Sequence, residues 1–159
     1  MDFKEPITVE GKQKIDQELE NLIKVDREEI KKKIQEAREL GDLKENAEYH
    51  SAKEKQALIE GRIGQLQGII SNCNVIDISQ ISSNEKIVFG ATVTLLDLEK
   101  DSTVTYKIVG HEESDNKTGK ISYKSPLGKA LIGKEEGDTV IVKAPKGDIE
   151  YEVEEVQYI

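Results

Sequence analysis

The nine residues GDLKENAEY, Gly41 to Tyr49, decide how the chain folds on either side of them. Polar Asp42, Lys44, Glu45, Asn46 and Glu48 crowd the stretch, and both flanks carry a helical period. After it, Tyr49, Ala52, Gln56, Ile59, Ile63, Leu66 and Ile70 recur at spacings of 3, 4, 3, 4, 3 and 4, a heptad seam. Before it, Ile15, Leu19 and Leu22 are spaced by 4 and 3, the pattern meets polar Asp26, and it resumes at Ile30, Ile34, Ala37 and Leu40. Thr8 is the expected N-cap of this first arm. Two such arms joined by a short polar junction predict an antiparallel helical hairpin. A dimer of long helices is the competing arrangement. The short junction and the similar arm lengths favour the hairpin, and a monomer is expected. An arm of ~28 residues makes a rod ~40 Å long, with Gly41 to Glu45 at its far tip. Gly61, Gly64 and Gly68 lie off the seam and lower helix propensity by about 1 kcal/mol each.

Beyond Cys73 the period changes to two. NVIDI (Asn74 to Ile78), ATVTLLDL (Ala91 to Leu98), STVTYKIV (Ser102 to Val109), GKISYK (Gly119 to Lys124), DTVIVKA (Asp138 to Ala144) and DIEYEVEEVQYI (Asp148 to Ile159) read as strands. PKGD, Pro145 to Asp148, is a hairpin turn signal. SPLGKALIG, Ser125 to Gly133, reads as a short helix with Pro126 in its first turn. The expected class is α+β: a coiled-coil hairpin over residues 1–75, then a compact, mainly antiparallel β domain with a short helix over residues 76–159.

Composition narrows the function. The chain has 159 residues, 35% of them charged, 4% aromatic and none of them Trp, which argues against a large aromatic ligand pocket. Its formal charge of -9 argues against wrapping nucleic acid by neutralising phosphates. The single cysteine, Cys73, cannot form an internal disulfide and fits a reducing cytoplasm. The N-terminal MDFKEPITVEG has no basic-then-apolar signal pattern, and no apolar run approaches the ~18 residues of a membrane span. A cytoplasmic location and no membrane partner are expected.

Gly128 to Glu135, GKALIGKE, nearly spells a phosphate-binding loop, but Glu135 stands where the magnesium-holding hydroxyl belongs. His50 and His111 have no metal-ligand spacing to a second His or Cys. KVDREEIKKKIQEARE, Lys24 to Glu39, mixes both signs and reads as a solvated helix face. At the tip, Asp42 and Glu45 have the N-cap-to-N3 spacing of a capping box. Spacing alone favours that cap, but they are also two hard carboxylate ligands suited to magnesium, too few to hold the ion alone but able to complete a site inside a partner.

The string EARELGDLKENAEYHSAKE, Glu36 to Glu54, closely resembles the coiled-coil tip of the bacterial GreA-type transcript-cleavage factors. IVFGATVTLL (Ile87 to Leu96) and SPLGKALIGKEEGD (Ser125 to Asp138) resemble segments of the same family. The likeness covers essentially the whole chain. It implies an FKBP-like fold for the second half, docked on RNA polymerase, and a hairpin that enters the polymerase's secondary channel. It implies no enzyme activity for the chain alone and no cofactor of its own. Asp42 and Glu45 would serve the polymerase's catalytic Mg2+ during hydrolysis of backtracked RNA. Whether either acts as general base or only as metal ligand stays open. Arg38, Lys53, Lys55 and Arg62 are candidates for phosphates of the extruded 3′ end of the nascent RNA. Tyr49 is a candidate for base stacking, with core packing as its other explanation. Lys53 stands where family members often carry Arg, and Lys lacks the bidentate fork. Ser125 and Pro126 are the docking candidates. Two alternatives are a secondary-channel regulator that does not stimulate cleavage, and a prolyl isomerase working through the FKBP-like domain.

Overall fold

The computed structural model describes residues 4–81 and 86–159. They form two units: Lys12–Asn72, and the residues up to Gly11 together with Cys73–Ile159.

The first unit is the helical hairpin. Helix α1 (Val9–Asn21) begins behind Thr8, whose hydroxyl oxygen accepts the Gly11 amide at 3.1 Å, as an N-cap should. A π-helical turn (Leu22–Asp26) joins α1 to α2 (Arg27–Arg38). Helix α3 (Ala47–Ser71) returns alongside. Ile15, Leu22, Ile30, Ile34 and Ala37 of the first arm and Ala52, Ile59, Ile63 and Leu66 of the second are buried, so both seams lie where their spacing placed them. Leu40 does not continue the seam: α2 ends at Arg38 and Leu40 is 67% exposed. Gly41 ends the run, because its φ of 126° is a left-handed conformation that turns the chain away from the helix axis. Two forked ion pairs lace the arms on the outside. Arg27 donates to both carboxylate oxygens of Glu60 at 2.7 and 2.9 Å, and Arg62 to both of Glu18 at 2.7 and 3.0 Å. These guanidinium hydrogen bonds hold the Glu60 and Glu18 carboxyls below the usual carboxylate range. The 25 residues of α3 give the hairpin a length of about 37 Å.

Among the described residues the second unit forms two sheets. Strand β1 (Glu5–Thr8) pairs in parallel with β2 (Cys73–Ile76), Glu5 facing Cys73 and Thr8 facing Ile76. Parallel neighbours need a long crossover, and here the hairpin sequence is that connection. The structural grouping therefore departs from a division at residue 75/76, because pairing with β2 draws the first residues into the second unit.

The larger sheet has β3 (Thr92–Asp97), β4 (Ser102–Val109), β5 (Lys120–Ser122), β6 (Thr139–Ala144) and β7 (Gly147–Gln157) in the order β5-β4-β3-β7-β6. Every pairing is antiparallel except β4 with β5. One face carries the core: Val93, Leu95, Ile108, Ile121, Val140 and Val153, closed by Ile87 and by Leu131 of helix α4 (Pro126–Leu131). The expected strands are all present except that Ile78 opens a 3-10 turn (Ile78–Gln80) instead of extending β2, and GKISYK is paired only over β5.

A carboxylate knot closes the start of α1. Glu113 accepts the backbone amides of Thr8 at 3.0 Å and Gly110 at 2.9 Å, and it also bonds the Thr8 hydroxyl. A Cβ on Gly11 would lie 2.2 Å from the Glu113 carboxyl carbon, so the knot requires glycine there. Beside it, Glu5 accepts from Tyr123 and, at 2.6 Å, from Lys124.

Candidate functional site at the hairpin tip

The tip is the segment from Glu39 to Asn46 between α2 and α3. After Gly41 turns the chain, the Asp42 carboxylate accepts the Lys44 amide at 3.0 Å, a local Asx turn. Glu45 makes no hydrogen bond or ion pair with the described residues, and both carboxylates are exposed. The capping box expected from the Asp42–Glu45 spacing does not form. The N-cap of α3 is Asn46, whose side-chain oxygen accepts the Tyr49 amide at 3.0 Å. The same amide group reaches the other arm, its nitrogen donating to the carbonyl of Ala37 at 2.5 Å. Asn46 was the residue that spacing did not single out, although Asn just ahead of an apolar period is a recognisable cap signal.

The other tip candidates gather around this clasp. The Arg38 guanidinium sits 5.8 Å from the Tyr49 ring centroid, within cation–π range. Tyr49 is half-buried, and His50 meets its ring edge-on at 5.6 Å. The His50 Nε2 lies 3.1 Å from the Lys44 carbonyl, which accepts the ring proton. Lys53 is exposed and donates to Gln56 at 3.2 Å. Lys55 and Lys33 flank a groove of about 680 Å³ floored by Ile30, Ala37 and Ala52. Arg62 is committed to Glu18 and, at 2.9 Å, to Gln65. Among the described residues no group of three or more His, Cys, Asp or Glu side chains is arranged to hold a metal ion. Two exposed carboxylates offer hard oxygen donors that a metal with other ligands can accept.

Ser125 and Pro126 lie in the second unit, at the start of α4. Ser125 is half-buried and caps the helix, accepting the Gly128 amide at 3.0 Å and donating to the Ser122 carbonyl at 2.6 Å. Pro126 is exposed at the first helical turn. The phosphate-loop lookalike is the second half of α4 and the turn after it. A Cβ on Gly128 would meet the Ser122 carbonyl at 2.3 Å, so that glycine serves packing.

Comparisons with known proteins agree on both units. The family description "Transcription elongation factor, N-terminal" matches residues 5–75, and "Transcription elongation factor, GreA/GreB, C-term" matches residues 82–158. The chain is 51% identical to "Transcription elongation factor GreA" of Pseudomonas aeruginosa over 97% of this chain and 98% of that one. It is 54% identical to the protein of that name from Xylella fastidiosa, over the same shares. Among solved structures it is similar to the GreA factor homolog 1 (Gfh1) protein of Thermus thermophilus, at 30% identity over 97% and 99% of the two chains, with a TM-score of 0.44.

Proposed function

The chain belongs to the GreA/GreB family of transcription elongation factors, and from that premise we propose that it stimulates cleavage of backtracked RNA by RNA polymerase. One observation carries the proposal. Asp42 and Glu45 stand exposed at the end of a hairpin about 37 Å long, and the structural task that their spacing suggested is performed by Asn46. Two carboxylates at a tip, with no ion-pair duty in the fold, are available to a partner.

Entering the polymerase's secondary channel, the hairpin delivers both carboxylates to the active centre. There the polymerase's own Mg2+ supplies Lewis acidity for phosphodiester hydrolysis. Asp42 and Glu45 would add negative oxygen ligands to that Mg2+ and would accept hydrogen bonds from water near it. Tyr49, backed by Arg38, offers a ring on which an extruded base stacks, a contact of about 1–3 kcal/mol. Lys53 supplies a single charge toward RNA phosphate. In the second unit, exposed Pro126 contributes to docking, while Ser125 sets the turn that presents it. Alone, the chain is not an enzyme in this scheme.

The deciding experiment mixes the protein with a halted, backtracked polymerase complex in Mg2+ and follows RNA length. Shortening of the RNA by 3′ fragments, dependent on the protein, is expected. Unchanged RNA length with proven binding to polymerase would replace this scheme with a regulator that occupies the channel without stimulating cleavage.

A further inference from the structure

We propose that Asn46 is a positioning residue for the two tip carboxylates, clasping both arms so that the loop carrying Asp42 and Glu45 is held in one conformation. This rests on the role given above to those carboxylates.

The geometry asks for an amide at this position. The carbonyl oxygen of the side chain accepts the Tyr49 amide at 3.0 Å and so caps α3. The NH2 group donates to the Ala37 carbonyl at 2.5 Å, at the end of the other arm. Asn is a short side chain with both a carbonyl acceptor and an NH2 donor on one planar group. Asp keeps the acceptor, loses the donor, and turns a charge toward the Ala37 carbonyl. Ser keeps a cap but lacks the second branch that crosses to Ala37. Asn46 is half-buried, whereas every residue from Glu39 to Glu45 is exposed.

Fixing residue 46 to residue 37 closes the loop between them at its base. Two further contacts then brace it: the His50 ring on the Lys44 carbonyl and Arg38 over Tyr49. The loop itself has no buried apolar side chain to order it, with Leu40 at 67% and Leu43 at 43% exposure. Hydrogen bonds at its base therefore set its order. A metal ligand carried on a loose loop spends most of its time away from the productive geometry, and rate falls with that fraction.

The test compares wild type, Asn46→Asp, Asn46→Ser and Asp42→Ala in the full chain. Asn46→Asp retains the cap, so helix content and the protein concentration that half-saturates the polymerase stay at wild-type values. The maximal cleavage rate should fall about 10- to 100-fold, and more Mg2+ should be needed for half-maximal rate. Asn46→Ser should follow Asn46→Asp. Backbone order parameters from NMR for Gly41 to Glu45 in the free protein should fall in both variants, from near ~0.85 toward ~0.6. A wild-type maximal rate in Asn46→Asp overturns the inference, and so does a lost rate with unchanged order parameters, which would make Asn46 a direct contact. If Asp42→Ala cleaves like wild type, the role of the carboxylates fails instead. The order parameters alone then decide whether Asn46 holds the loop.

Discussion

Leu22 and Ile30 are eight residues apart, yet both are buried in the same seam of the hairpin, at 9% and 2% exposure. A heptad seam would place the second one residue earlier. The π-helical turn between them absorbs the difference, since the Arg27 amide bonds the Leu22 carbonyl five residues back. One extra residue is accommodated in that turn, and the apolar stripe emerges on the same side.

Deleting exposed Val25 should therefore convert the π turn to α-helix and leave Ile30 in the seam. Wild-type helix content and a melting temperature within a few degrees are expected. Deleting Lys32, within α2, leaves no bulge to absorb the change and rotates everything beyond it by ~100°. That variant should lose several kcal/mol as Ile34 and Ala37 leave the seam. Circular dichroism melts of the two deletions decide the matter. Equal losses would mean that the π turn does not act as a phase corrector.

Asp42→Ala and Glu45→Ala should each abolish stimulated cleavage and change stability by less than about 0.5 kcal/mol, because neither caps α3 nor joins the arms. Asn46→Ala should cost about 1 kcal/mol through the lost cap. Thermal melts and the RNA assay, run on the same preparations, separate these effects. Full cleavage by the double variant at saturating protein would remove the carboxylates from the mechanism.

The Glu113 knot predicts a reversal of sign. Gly11→Ala alone forces the Glu113 carboxyl from its three partners and should cost about 1–3 kcal/mol. With Glu113→Ala already in place, the space is free and the same Gly11→Ala should stabilise by up to about 1 kcal/mol through helix propensity. Urea denaturation of the four combinations measures the coupling. Additive losses would show that the close approach at Gly11 does not matter.

The Glu5 carboxyl is held below the usual carboxylate range, first by its hydrogen bond from Lys124 and next by that from Tyr123. A depressed folded pKa contributes stability above the unfolded value of about 4.5, and that stability is lost as pH falls through the folded value. Glu5→Gln should therefore lower stability near neutral pH and flatten the acid limb below about pH 4.5. The pair is partly exposed, so the effect is a fraction of a kcal/mol and shrinks in high salt. An acid limb identical to wild type would assign the acid sensitivity to other carboxylates.

Delivery by reach can be tested by length. Removing Arg27 to Lys33 from α2 and Glu54 to Glu60 from α3 takes seven residues from each arm, keeps both seams in phase, and removes the Arg27–Glu60 pair as a unit. The hairpin shortens by ~10 Å, far more than the ~2.1 Å of a magnesium–oxygen bond. Normal helix content, normal binding to polymerase and no stimulated cleavage are expected. Cleavage at a comparable rate would sink delivery into a buried centre.

The hairpin and the sheet were legible because their signals are periodic and repeated. Seven seam positions in α3 specify one face, and alternation along β3 and β7 specifies another. The candidate carboxylates were legible as a pair by resemblance to a family motif, whereas spacing alone offered a capping box. Other features depended on single contacts that no repeated pattern announces. Polar Asp26 marked where the first seam breaks, but only the five-residue hydrogen bond to Leu22 shows a π turn. The parallel pairing of β1 with β2 joins residues some 68 positions apart, and four residues carry too short a pattern to announce it. The Glu113 knot and the reach of Asn46 to Ala37 are likewise contacts between a single side chain and backbone groups that no period marks. Periodicity is a property of many residues against one averaged environment, so it survives in the chain itself. A single hydrogen bond depends on two groups meeting within a few tenths of an ångström, and only the folded structure brings them there.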